Sequence, residues 1–218
     1  MIIEISNKIN KITLMNNLRY EKKCIDKIYK NYKIVNLTYP YGNYSDLNSH
    51  KLKTKDGYIM ENIWQSCKVY DNIVACKHKK FDTLIWQQHA EKHLDNERIT
   101  PAYFEWKDKL IKNKYPVQYP CGISNRNKYK FLLYNNKKYD GNRGFKDIYE
   151  VMYHELIKNK IRFNELKTYY KSGYHLIIIC DKLKYNTLNT FNTLNTFNLC
   201  NIDSNGYALT SALLKELN

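Results

Sequence analysis

The clearest hydrophobic signal is His175-Leu-Ile-Ile-Ile-Cys-Asp181, a short continuous apolar run that ends on a carboxylate. A run of this length and β-branched content predicts a central strand buried on both faces. At the amino end, Ile2 to Ile5 is β-rich, Leu18, Ile25, Ile28 and Tyr29 recur at helical spacing between Asn17 and Tyr32, and Lys33 to Leu37 is again strand-like. The order predicts a β-α-β opening. Between Thr38 and Asp56, Pro40, Gly42 and several Ser, Asn and Asp residues mark a long polar loop. Met60, Ile63, Trp64 and Cys67 form one helical stripe, so a helix is expected over Ile59 to Tyr70, with Glu61, Gln65 and Lys68 on a second, polar face.

Further helices are expected over Phe81 to Leu94 and from Pro101, a favourable first helical residue after Thr100, to about Lys112. The middle third of the chain therefore reads as mainly helical. Tyr129 to Tyr134 predicts a strand, Asn135-Asn136 a turn, and Gly141-Asn-Arg-Gly144 a tight connection into a helix over Phe145 to Lys158. Helices over Asn164 to Tyr170 and Gly206 to Leu217 follow, the last amphipathic through Leu209, Leu213, Leu214 and Leu217. Asn186 to Phe197 repeats the hexapeptide Asn-Thr-Leu-Asn-Thr-Phe, so residues 186–198 read as a low-complexity loop insertion. The pattern as a whole predicts an α+β fold, predominantly helical with a small β-sheet, in a single domain over 1–218.

Composition sharpens this. With 218 residues, 43% apolar and 14% aromatic, the chain can bury a core without metal or disulfide staples. No apolar run approaches the about 20 residues that span a bilayer, and Met1-Ile-Ile-Glu-Ile-Ser lacks the basic start of a secretion signal. The expectation is an intracellular protein that does not engage a membrane. Cys24, Cys67, Cys76, Cys121, Cys180 and Cys200 include no CxxC pair, so they read as reduced core thiols. The net charge of +15 points to polyanionic partners, nucleic acid or a phosphorylated nucleotide. Its densest block is Lys107 to Lys138, with nine Lys or Arg against a single acid, Asp108, and with Tyr115, Tyr119, Tyr129 and Tyr134 interleaved. Such a block suits phosphate contacts and base stacking.

Candidate chemistry is sparse. His89 and His93 lie one helical turn apart, but no third ligand accompanies them, and they read as surface histidines with no metal or cofactor implied. Arg143 and Lys146 fall at an expected helix start, where backbone N–H groups favour a phosphate. Asp181 ends the buried strand, a position where α/β enzymes often place polar site residues. The segment Asp56 to Tyr70 is the most informative. Its helix carries Glu61 as a candidate general acid/base or ion-stabilising group, with Trp64 to restrict water and Gln65 and Lys68 beside it.

Gly57 and Met60-Glu-Asn-Ile-Trp-Gln-Ser-Cys-Lys-Val-Tyr70 resemble the motif of the NADAR (YbiA-like) superfamily, and more closely that of a bacterial and viral group with Glu-x-Ile-Trp-Gln-x-x-Lys-Val. In that group a Tyr-Pro-His-Gly-like loop precedes the motif; here it is Tyr39-Pro-Tyr41-Gly42. Asn62 stands where the superfamily usually has His, and its preceding Ser-Asn-Phe segment is not evident in Asn43 to Asn48. The resemblance implies a YbiA/NADAR-like fold and N-glycosidic cleavage of a phosphorylated nucleoside, such as a ribosylaminopyrimidine, or of an ADP-ribosylated base. It also implies Glu61 as the catalytic group, with Trp64, Gln65 and Lys68 shaping the ribose-phosphate site; Tyr39, Tyr41, Arg143 and Asp181 are the further candidate substrate contacts. The alternative expectation is a non-catalytic nucleic-acid-binding protein using the basic block.

Overall fold

The computed structural model describes residues 2–4, 12–16, 30–73, 91–122, 125, 128–180 and 204–217. Its strands are β1 (Ile2–Glu4), β2 (Ile12–Asn16), β3 (Tyr32–Asn36), β4 (Lys68–Val69), β5 (Asn72–Ile73), β6 (Glu91–Lys92), β7 (Leu94–Asp95), β8 (Arg98–Ile99), β9 (Phe131–Tyr134), β10 (Lys137–Tyr139) and β11 (His175–Cys180). Its helices are α1 (Met60–Ser66), α2 (Pro101–Ile111), α3 (Gly141–Gly144), a π-helical segment Phe145–Glu150, α4 (Val151–Ile157), α5 (Ile161–Lys171) and α6 (Ser204–Leu217). The fold is α+β. It divides into two compact units, Ser49–Tyr149 being inserted between the two segments, Met1–Asn48 and Glu150–Asn218, that make up the first.

The first unit is built on a four-stranded sheet in the order β1-β2-β11-β3, with β1 antiparallel to β2 and β11 parallel to both its neighbours. Leu176 to Ile179 are all buried, as a strand paired on both edges and covered on both faces requires. Helices α5 and α6 pack against β11, and α6 also meets α4. Their inward residues are mostly apolar: Phe163 and Leu166 on α5, and Ala208, Leu209, Ala212 and Leu213 on α6, which also buries Asn205 and Thr210. The loop after β3 folds back on that strand. The Asn43 amide nitrogen donates to the Ile34 carbonyl at 3.2 Å while its oxygen accepts from the Asn36 N–H at 2.9 Å. Gly42 is fixed by close approach, because a Cβ there would lie 2.3 Å from the Asn36 carbonyl oxygen.

The second unit packs α2 and the β4-β9-β10 sheet around Val69, Tyr70, Tyr103, Trp106, Leu110, Val117, Cys121 and Leu133. Asn135 and Asn136 close the β9-β10 hairpin with φ of 46° and 59°, the left-handed pair that a two-residue turn needs and that asparagine tolerates. Asn96 and Glu97 do the same between β7 and β8.

Several expectations need correction. The helix expected over Ile59 to Tyr70 stops at Ser66, because Lys68 and Val69 pair with Leu132 and Phe131 instead. The tertiary ladder overrides a stripe whose local spacing would continue the helix. The helix expected over Phe81 to Leu94 is replaced at its end by β6 and β7, where the Asn96-Glu97 turn imposes a hairpin; residues 81–90 lie outside the described set. Among the described residues the middle third is thus mixed, not mainly helical. Helical structure begins at Gly141 itself, capped by the Asp140 carboxylate, which accepts from the Arg143 N–H at 2.9 Å. At the amino end, β2 forms a hairpin with β1 that the apolar pattern did not announce. The helix expected from Asn17 falls largely outside the described residues, as do the doubled hexapeptide, Cys24, Cys76 and Cys200. No described helix is long and apolar enough to cross a membrane.

Candidate active site

Helix α1 is entered through a tight turn. The Gly57 N–H donates to the Thr54 carbonyl, Lys53 bridges Ile59, and Gly57 adopts φ +84°, a conformation that excludes most side-chain-bearing residues. The Met60 N–H then donates to the Leu52 carbonyl at 2.9 Å and the Glu61 N–H to the Ser49 carbonyl at 3.2 Å. These bonds satisfy donors that a helix start leaves open.

Almost every polar side chain of this helix is buried. Glu61 is only 4% exposed, yet it is held by neutral donors: the Ser49 hydroxyl donates to Oε2 at 2.8 Å and the Gln65 amide to Oε1 at 2.7 Å. Among the described residues no cation pairs with it. Gln65 gives its amide nitrogen to Glu61, and among the described residues its buried Oε1 meets no donor. Trp64 stands edge-on to Tyr149 at 5.2 Å and to Phe145 at 6.3 Å. Lys68, buried on β4, places its ammonium 5.8 Å from the Trp64 ring and 5.5 Å from the Tyr129 ring. The negative faces of the two rings attract a cation held over them.

The remaining groups of α1 are structural. Asn62 donates to the carbonyls of Asn113 and Tyr115 and accepts from the Val117 N–H at 2.7 Å, so it ties the segment after α2 to the helix. Tyr103 donates its hydroxyl to the Ser66 carbonyl at 2.9 Å, at the end where helix bonding runs out. Burial pushes the Cys67 thiol up to about 11, which leaves it protonated and a poor nucleophile at neutral pH.

Glu61 and Gln65 thus meet directly and Lys68 lies over Trp64, all four in the second unit, with Lys68 on a strand and not on the polar helix face expected for it. Arg143 lies in the same unit with its Nε 3.2 Å from the Asp147 carboxylate. Tyr39 and Tyr41 belong to the first unit, Tyr41 being 94% exposed. Asp181 lies outside the described residues. So does His89, whereas His93 corrects its expected surface placement. It is fully buried against Tyr70, Tyr103 and Trp106, with neither ring nitrogen hydrogen-bonded among the described residues, and burial lowers its pKa to about 4. A neutral imidazole is the form that such an apolar box accepts.

In the basic block, Lys112 pairs with Asp108 and Lys130 with Asp71 at exposed positions, and Lys138 lies over the Phe131 ring. Tyr115 is 59% exposed, while Tyr129 packs inward on Tyr70. The residue missed from sequence is Ser49. It precedes Glu61 by 12 positions, and no helix or strand period links the two. Compared with protein-family models, curated proteins and solved structures, the chain matches none of them.

Proposed function

We propose that this protein is an N-glycosidase-like enzyme that cleaves the bond between a ribosyl carbon and a base nitrogen, in a phosphorylated nucleoside or an ADP-ribosylated base. The observation that carries the reading is the state of Glu61: a carboxylate removed from water, held by two neutral donors and paired with no cation among the described residues. Burying a carboxylate without a counter-charge costs folding stability, and such costs concentrate where a reaction needs the group. The likeness of the Gly57 to Tyr70 motif to the NADAR superfamily supports the same reading, and a YbiA/NADAR-like fold is part of the proposal.

The chemistry follows from what each side chain offers. Cleavage of an N-glycosidic bond builds positive charge on the ribosyl carbon as electrons leave with the base. A carboxylate of fixed position stabilises that charge, and as a general base it takes a proton from the water whose oxygen bonds to the ribosyl carbon, the proton then passing to the nitrogen of the departed base. Lys68 offers a cation to substrate phosphate, and the Gln65 Oε1 offers an acceptor to a sugar hydroxyl or a base N–H. Trp64 shields the carboxylate from bulk water. The site needs no cofactor in this scheme.

The test is incubation of the wild type and Glu61→Gln with ADP-ribosylated guanine DNA, ADP-ribose conjugates and ribosylaminopyrimidine phosphates, with released base or ribose read by mass spectrometry. Release by the wild type and not by a folded Glu61→Gln supports the reading. The competing reading, a binding protein acting through Lys107 to Lys138, draws on the exposed Tyr115 and the exposed lysines around it. Absence of release together with tight, salt-sensitive DNA binding by both proteins would favour it.

A further inference from the structure

We propose that Ser49 is a positioning residue for Glu61, an inference that rests on the reading of Glu61 as the reacting carboxylate. The two oxygens of that carboxylate are held from different directions. Gln65, one turn along the same helix, donates to Oε1, and Ser49, from the loop 12 residues earlier, donates to Oε2. The terminal torsion of a glutamate is intrinsically broad, so a single donor leaves the carboxylate plane free to turn about its last bond. A second donor on the other oxygen fixes the plane. Each oxygen accepts one of these bonds and keeps acceptor capacity for substrate or water.

The hydroxyl is not needed to anchor the loop. The Ser49 backbone carbonyl already accepts from the Glu61 N–H, and the Leu52 carbonyl accepts from the Met60 N–H, so the backbone alone joins the loop to the helix start. What the hydroxyl adds is a bond to the carboxylate itself. Ser49 is fully buried and Glu61 nearly so, so water does not stand ready to replace that bond. Ser66 supplies the internal comparison: it is an equally buried serine on the helix that carries Glu61, but its hydroxyl donates to the Ile63 carbonyl.

The experiment uses the full chain with 13C at the glutamate side-chain carboxyl, the Glu61 resonance being assigned by its loss in Glu61→Gln. Ser49→Ala is expected to displace that resonance, and Ser66→Ala to leave it in place. With ADP-ribosylated guanine DNA as substrate, Ser49→Ala should lower kcat by up to about a hundredfold with KM little changed, the signature of a misplaced reacting group. An unmoved Glu61 resonance, or wild-type kcat, in folded Ser49→Ala would overturn the proposal. If the wild type itself releases nothing, the glycosidase reading fails, while the resonance still decides whether Ser49 holds the carboxylate.

Discussion

The central strand of the first unit and the central helix of the second solve the same problem with opposite chemistry. β11 buries Leu176, Ile177, Ile178 and Ile179, and the helices packed on it contribute Phe, Leu and Ala. α1 buries Glu61, Asn62, Gln65 and Ser66 beside Met60 and Trp64, with Lys68 buried just beyond its end. In the first unit the buried titratable residue His154 has a carboxylate partner, Glu216, at 2.8 Å. In the second, Glu61 has only neutral donors and His93 has no hydrogen bond at all among the described residues. Apolar burial stabilises a fold directly, whereas buried polar groups must each be satisfied by a specific partner. The first unit pairs its buried histidine with a carboxylate, whereas the second carries two costly groups in different surroundings, Glu61 between Ser49 and Gln65 and His93 among Tyr70, Tyr103 and Trp106.

The comparison can be broken at several points. The largest expected effect is on activity: Glu61→Gln should lower turnover by about 10²–10⁴-fold, as measured on the substrates above, while the urea midpoint moves little. In the first unit the corresponding effect is on stability alone. Ile177→Ala, at the centre of β11, should lose about 2–5 kcal/mol in urea unfolding through lost burial and the cavity left behind.

His93 gives the second unit a pH dependence. Its folded pKa of about 4 lies below the ordinary histidine value of 6.5, so the unfolded chain binds the extra proton first as pH falls. Stability is fully present above about 6.5 and declines toward pH 4, by about 2–3 kcal/mol in all, and His93→Phe should remove that slope in thermal melts at stepped pH. Asn62→Ala should cost about 1–3 kcal/mol, because the Val117 N–H and the carbonyls of Asn113 and Tyr115 lose their partner. The smallest effect is at the surface. Asp71→Asn, which removes the half-exposed pair with Lys130, should leave the melting temperature unchanged within error.

What could be read in advance follows from the range of the interactions. The buried strand, the Pro101 helix, the Asn135-Asn136 turn and the carboxy-terminal amphipathic helix were legible, because each depends on residues within a few positions of one another. The end of α1 was not, since Lys68 leaves the helix only to pair with Leu132, over sixty residues on. His93 misled for the same reason. Its neighbours in sequence are charged, and its box of Tyr70, Tyr103 and Trp106 is assembled from elsewhere in the chain. Of the candidate site, Glu61 and Gln65 were legible together because a helix places residues four apart on one face. Ser49 was invisible because a loop has no period.

The sequence by itself determined the α+β character, the β11 strand, the basic balance and the grouping of Glu61, Trp64 and Gln65, all of which rest on local periodicity and composition. Only the tertiary structure decided that Glu61 is buried with no cation partner among the described residues, that Ser49 reaches its second oxygen and that Asn62 serves as a structural tie. Hydrogen bonds between distant segments depend on where the folded chain returns, and no local pattern of residue types encodes that return.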